Sequence, residues 1–395
     1  MSRIAAFKVG FFGVAMCIVS NAASADATFQ TLYAFTGGND GGSPQSGLIM
    51  DAAGNLYGTT PLGGASSMGT LFKLAPDGTF ILLHTFKGGR DGATPTGAAL
   101  TLDGHGTIYG LTQAGGVANG GTAYRYRNGK LKILHSFGVG NDVAWPQSGL
   151  LMQPDGSLVG VTSYGGGSAC TSGCGAIFKL AADGTETILH AFAGGTGDGS
   201  YPTGTPVRDL AGNLYGTTYY GGQANKGTVY RIAPDNTASV VYSFANPASN
   251  PYQGLTFDKH GNLFGTTAEM YGSFTGAVFE INTSNQESIV FNLAQGPGWG
   301  FGLTSLLPDG KGNLYGTVRD GGGNQACNIG TGCGAVVALD PRGQQITVLH
   351  AFGGSDGMTP YSGVVADGHG NFYGTTMAGG ANNAGTIFKI STGTK

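Results

Sequence analysis

Charge is scarce in this sequence. Only 10% of its 395 residues are charged, 19 basic against 22 acidic, giving a net charge of −3. Such a surface offers no basic field to a nucleic-acid backbone, which excludes nucleic acid as a partner. Cysteine is rare, at 5 residues, so a dense disulfide framework is excluded as well. The apolar run at 9–20 falls short of the ~20 residues that a spanning helix needs. No G-x-S-x-G elbow, phosphate-binding loop or metal-ligand cluster is present, and no cofactor is expected.

Glycine is abundant, at 76 residues, against a usual ~7% of a chain. Each interior helical Gly costs ~1 kcal/mol relative to Ala, so a mainly helical fold is excluded. Hydrophobic residues at 40% and aromatics at 10% suffice for a core, which argues against disorder.

Residues 1–25 read as a secretory signal. Arg3 and Lys8 form the positive start, the apolar run follows, and Ala23-Ser24-Ala25 is a small-residue cleavage site. The mature chain, 26–395, is expected to be a single extracytoplasmic domain, secreted or at the cell surface. It is also expected to be monomeric, without a membrane span after cleavage.

One motif recurs along it. An Asp-containing turn precedes a G-N-L-Y-G-T-T-like stretch, a glycine pair and a G-T-x-F-K-L-like stretch. The anchor dipeptide falls at Tyr57-Gly58, Tyr109-Gly110, Val159-Gly160, Tyr215-Gly216, Phe264-Gly265, Tyr315-Gly316 and Tyr373-Gly374. The spacings are 52, 50, 56, 49, 51 and 58, the length expected of a propeller blade. Each unit carries four short apolar stretches, a to d. In the first unit these are 46–50, 56–60, 70–74 and 80–86, separated by hairpin punctuation. Strand c is apolar on both faces, as a strand covered by neighbouring sheets should be.

The last unit ends after its c stretch, at 386–390, while an unassigned d-type stretch, Leu32-Tyr33-Ala34-Phe35, opens the mature chain. It matches Leu83-His84-Thr85-Phe86 and Leu349-His350-Ala351-Phe352. The sequence therefore predicts an all-β, seven-bladed β-propeller of four-stranded antiparallel blades, the N-terminal strand closing the last blade.

The G-N-L-Y-G-T-T copies at 54–60 and 212–218, the variant at 370–376 and the G-T-x-F-K-L-like strands resemble the GloVer-type, choice-of-anchor tandem-repeat proteins of bacteria. That resemblance covers nearly the whole mature chain and implies no known activity. Its members are often surface-attached through C-terminal anchors, whereas this sequence stops at Lys395 without a hydrophobic tail. The D-x-x-G-N-L-Y turn is also similar to NHL-type and virginiamycin-lyase-like propellers, and kelch repeats share the glycine pair.

A residue that recurs at one repeat position reads as scaffold. His84, His135, His190 and His350 share a place in strand d, and His105, His260 and His369 share one in the a–b turn. Asp40, Asp91, Asp142, Asp198 and Asp356 each stand four residues before a Pro in the d–a loop. They read as side-chain-to-backbone locks rather than as a Ca²⁺ ring. Cys170 with Cys174 and Cys327 with Cys333 read as two local disulfides in long b–c loops. A metal site is the alternative, and the spacing suits it poorly.

Function is expected where the repeat breaks, on the face shared by the b–c and d–a loops. The candidate ligand-binding residues are Trp145, Tyr164, Tyr219, Tyr220, Glu269, Trp299, Arg319 and Asp320. Tyr201, Tyr252, Phe301 and Tyr361 lie on the same face. Aromatic faces with a few polar anchors suit a carbohydrate or a peptide or protein ligand. The favoured reading is a non-enzymatic binding module. The alternative is an extracytoplasmic lyase or hydrolase with Glu269, Asp320 and Arg319 at the mouth.

Overall fold

The computed structural model describes residues 18–20, 27–138, 143–167, 169–270, 276–293, 302–323, 327 and 332–393. Seven antiparallel sheets follow one another, each ordered a-b-c-d from the centre outward. In blade one the strands are Ile49–Met50, Leu56–Thr60, Thr70–Leu74 and Phe80–Thr85, so b and c fall where the repeat placed them. Blade seven takes strands a, b and c from Val365–Ala366, Asn371–Thr376 and Thr386–Thr392, and strand d from Ala27–Ala34. The two ends pair antiparallel, Phe29 opposite Ile390 and Ala34 opposite Thr386. The chain is thus a seven-bladed β-propeller closed by its N-terminal strand. In blade six, Ile18–Ser20 adds a parallel strand outside Gln345–Ala351.

The anchor glycine follows from packing. A Cβ on Gly58 would lie 2.6 Å from the Phe72 ring of strand c, and Gly160 and Gly374 meet Phe178 and Phe388 in the same way. The tip of the ring reaches over the anchor position of strand b, and only Gly leaves room for it. The core lies mainly between neighbouring blades. Phe35 and Ile387 of blade seven meet Leu48, Leu56 and Phe72 of blade one, and Leu71 and Phe86 meet Leu100 and Tyr124 of blade two. Where strand c opens on Thr, the Thr that ends the anchor stretch pairs with it, as in Thr60 with Thr70 at 2.7 Å and Thr376 with Thr386 at 2.8 Å.

A second lock joins each d–a segment to the blade before it. The residue preceding Pro is left-handed at Ser43, Thr94, Trp145, Tyr201, Asn250 and Thr359, with φ between +52° and +59°. Its N–H donates backward across the blade boundary, Trp145 to the Gly120 carbonyl and Tyr201 to the Cys174 carbonyl. The following proline packs on the glycine that opens the neighbouring strand c. A Cβ on Gly69 would lie 2.6 Å from Pro95 Cδ, and one on Gly385 2.6 Å from Pro44 Cδ. Blade six departs from this pattern, with Gly302 where the other blades have proline.

Candidate ligand-binding face

The recurrent aspartates and most of the strand-d histidines are taken up by the scaffold, whereas His105, His260 and His369 of the a–b turns are exposed. The strand-d histidines meet the d–a loop carboxylates: His84 Nε2 with Asp91 at 3.0 Å, His190 with Asp198 at 3.0 Å and His350 with Asp356 at 2.8 Å. In blade seven, Tyr33 fills the histidine's place and donates to Asp40 at 2.9 Å. The same aspartates accept backbone N–H groups from Thr36, Lys87, Ala193 and Gly353. Burial opposes ionisation of Asp198 and Asp356, but His190, His350 and the N–H donors outweigh it and hold both carboxyls below the usual carboxylate range. Asp142 lies outside the described residues. In the a–b turns Asp51 accepts from the Ala53 and Asn55 N–H groups, the Asn55 amide and the Tyr57 hydroxyl. Asp209, Asp309 and Asp367 take the equivalent asparagines.

On the opposite face the aromatics form a continuous series. Trp145 meets Tyr164 edge to face at 5.1 Å between centroids, and Tyr164 meets Tyr201 at 5.2 Å. Tyr201 meets Tyr220 at 5.6 Å, Tyr220 meets Tyr219 at 4.7 Å, and Tyr219 meets Tyr252 at 6.1 Å. The Tyr252 and Tyr361 hydroxyls lie 3.2 Å apart, and the Arg319 guanidinium stands 5.8 Å from the Tyr361 ring centroid. Large aromatic surface stays open to solvent here: Trp145 is 49% exposed, Tyr220 42% and Tyr252 41%. Burial of its phenol end, then the neighbouring Tyr361, pushes the Tyr252 pKa upward.

The series ends at a pocket of about 260 Å³ where blade five meets blade six. Tyr219, Tyr252, Tyr361, Arg319, Thr266 and Thr304 are among its walls. The proline lock is missing at this junction, and the hydrogen bonding changes with it. The first Thr of G-T-T reaches the next blade elsewhere, Thr217 to the Gln253 carbonyl and Thr317 to the Ser362 carbonyl. Thr266 Oγ1 is buried and has no hydrogen-bond partner among the described residues. An adjoining cavity of about 440 Å³, which shares Tyr252, Gln253 and Tyr361 with this pocket, fills the ring's centre, with Gln45, Gln147 and Ser362 among its other walls.

The Gloeobacter/Verrucomicrobia repeat matches this chain twice, over 18–172 and 168–331. The chain belongs to that repeat family. No curated protein matches it. Among solved structures, it is similar to the extracellular domain of a one-component system from B. thetaiotaomicron. Identity is 14% and the TM-score 0.55, covering 94% of this chain and 42% of that one. A Bacteroides uniformis protein assigned as a 6-phosphogluconolactonase aligns at 15% identity and TM-score 0.52, over 81% of this chain and 88% of that one. Puromycin hydrolase aligns at 12% and 0.55, over 83% and 49%. At these identities the likeness is one of fold.

Within this Gloeobacter/Verrucomicrobia repeat propeller, the expected site residues have different fates. Trp145, Tyr164, Tyr219 and Tyr220 come together on one face. They lie on strands rather than loops: Tyr164, Tyr219 and Tyr220 at the ends of Leu158–Tyr164 and Leu214–Gly221, because strand b runs on past the anchor, and Trp145 on the short strand Ala144–Pro146 that pairs with that extension. Arg319 lines the pocket. Asp320 sits behind it, its side chain 7% exposed, with a carboxylate oxygen 3.3 Å from Arg319 Nε. Glu269 lies on strand Leu263–Met270 opposite Ser249, but its side chain is outside the described residues, as is all of Trp299. Phe301 is outside them too. Both expected disulfides are formed, with Cα–Cα distances of 5.2 Å for Cys170–Cys174 and 5.5 Å for Cys327–Cys333. No helix among the described residues is long and apolar enough to cross a membrane.

Sequence reasoning named Tyr252 and Tyr361 on this face without assigning them to the site. Their signal lay in one repeat column. The residue after the proline is Gln45 and Gln147 in blades one and three but tyrosine in blades five and seven.

Proposed function

We propose that this propeller is a binding module, exported through its N-terminal segment 1–25, which takes a carbohydrate or peptide ligand on the aromatic face. The observation that carries the reading is the series of ring contacts from Trp145 to Tyr252, continued to Tyr361 by the contact of the two hydroxyls, with large ring surfaces open to solvent. Aromatic rings fixed by one another lose little freedom on binding, and each supplies both an apolar face and a polar tip. The acid/base alternative at Glu269, Asp320 and Arg319 finds less support, because the Asp320 carboxylate is buried against Arg319. Glycan and peptide arrays probed with residues 26–395 test the reading. Retention of a ligand class by the wild type and its loss in Tyr219→Ala/Tyr220→Ala support it. Equal retention by both contradicts it.

A further inference from the structure

We propose that the outer hairpin of blade two is a second binding site, which takes a linear acidic polysaccharide with carboxylate or sulfate groups on successive sugars. The site is separate from the aromatic face and lies at the other end of the blade, beside the c–d turn.

The repeat supplies the comparison. In blades one, three, four and seven, strand c carries one cation at the same position, Lys73, Lys179, Arg231 and Lys389. Each lies opposite an uncharged residue of strand d: Ile81, Thr187, Ser239 and Gln30. The c–d turns of blades one, three and four add an acid, Asp77, Asp183 and Asp235. Blade two breaks both rules. Arg125 lies opposite Lys132, Arg127 lies opposite Lys130, and the turn between them is Asn128-Gly129. Alternation along the strands puts all four side chains on one side of the hairpin. All four are exposed, and none has a hydrogen bond or ion pair with another described residue. Acids of the neighbouring blade three have other partners: Asp155 meets Lys179 at 2.8 Å, Glu186 meets His135 at 4.0 Å, and Asp183 accepts from the Thr185 N–H.

Like charges directly across a strand pair destabilise it. Two such pairs therefore cost the hairpin stability, in a chain whose net charge is −3, and a bound anion relieves that cost. The pairs follow one another about 7 Å apart, two residues at ~3.4 Å each, so the cations form a strip rather than a point. A chain with an anion on successive units meets both pairs at once, and its second contact is intramolecular. Tyr109 of strand b stands opposite Arg125, half-buried on the same side, and offers ring surface to a sugar. A bilayer is a poorer match, because the tip at Asn128-Gly129 has no apolar side chain to enter it.

The experiment is calorimetric titration of the purified, folded protein with oligogalacturonate against its carboxyl-reduced form, and with a sulfated galactan oligomer against its desulfated form. At least one acidic member is expected to bind about tenfold or more tightly than its neutral counterpart, and to weaken as salt is raised. Which one binds separates carboxylate from sulfate. Arg125→Gln/Lys132→Gln and Arg127→Gln/Lys130→Gln should each weaken that ligand about tenfold or more. Both variants should melt at or above the wild-type temperature, because each removes a like-charge pair. Affinity and stability then move in opposite directions, which a merely structural role would not give. Lys179→Gln removes a cation at the equivalent position of blade three and should leave the Kd within about twofold. Tyr219→Ala/Tyr220→Ala should leave it unchanged as well, so this inference and the aromatic-face reading fail separately. Four results overturn the inference: no acidic oligomer bound, full binding in both pair variants, an equal loss in Lys179→Gln, or tighter binding of a DNA duplex or of phosphatidylglycerol vesicles than of either oligomer.

Discussion

The hydroxyls of Tyr252 and Tyr361 lie 3.2 Å apart although 109 residues separate them in the chain. They belong to blades five and seven, and the contact passes over blade six, where the d–a lock is missing. Gly302 stands there in place of the proline, and two tyrosines of the same repeat column meet across the pocket. Tyr361→Phe removes the hydroxyl contact but keeps the ring. It should cost less than about 1 kcal/mol in urea unfolding, as expected for one partly exposed hydrogen bond. Tyr361→Ala should cost little more in stability but remove the ring beside Arg319. Comparing ligand affinity in the two variants separates the ring from its hydroxyl.

The anchor glycines should differ in tolerance. A Cβ on Gly374 would sit 2.5 Å from the Phe388 ring, whereas one on Gly316 meets Leu303 at 3.2 Å because strand c offers Val337 there instead of an aromatic. Gly374→Ala is expected to cost about 1–3 kcal/mol through overpacking. Gly316→Ala should cost less, as measured by denaturant midpoints. Equal costs would contradict the packing account of the repeat's glycine.

The buried hydroxyls of Tyr124 and Tyr230 have no hydrogen-bond partner among the described residues, and burial pushes both phenol pKa values upward. Other blades place Phe72, Phe178, Phe279 and Phe388 at this position. Tyr124→Phe and Tyr230→Phe should therefore be neutral or stabilising, by up to about 1 kcal/mol each. A loss of stability in either variant would mean that the hydroxyl has a partner.

The turn carboxylates set an acid limb. Asp51, Asp103, Asp209, Asp309 and Asp367 are partly desolvated, which opposes ionisation. Their hydrogen bonds prevail and hold each below the usual carboxylate range. A depressed folded-state pKa gives stability that is present above the unfolded value of ~3.9 and lost as pH falls through the folded value. Thermal midpoints should therefore be flat from neutral pH to about pH 5 and fall below about pH 4. Tyr33 and Tyr57 are pushed up to about 12 by burial and by Asp40 and Asp51. A raised tyrosine pKa gives stability present below ~10 and lost as pH rises toward 12, so a second limb should open there. Asp51→Asn should shrink both limbs. An unchanged profile would contradict the assignment.

The scaffold was legible because a repeat provides its own control. The strand-d histidines and the d–a aspartates, sorted as two separate columns, turn out to be partners, His84 with Asp91 and His350 with Asp356. The ring closure was legible from strand bookkeeping, since one d stretch stood at the wrong end of the sequence. The pocket was less so. Tyr252 and Tyr361 sit in a repeating column, and the logic that recognises scaffold passes over a change of residue type within a column. The fate of Asp320 was hidden for another reason, because adjacency to Arg319 in sequence does not reveal which of the two side chains turns inward.

The most direct test is the Kd of an array-selected ligand, measured by calorimetry for the wild type and for Trp145→Ala, Tyr220→Ala and Tyr361→Ala, which sample blades three, four and seven. The account predicts that every one of these folded variants weakens binding by about tenfold or more, since each removes a stacking surface from one continuous face. Wild-type affinity in all three would contradict it.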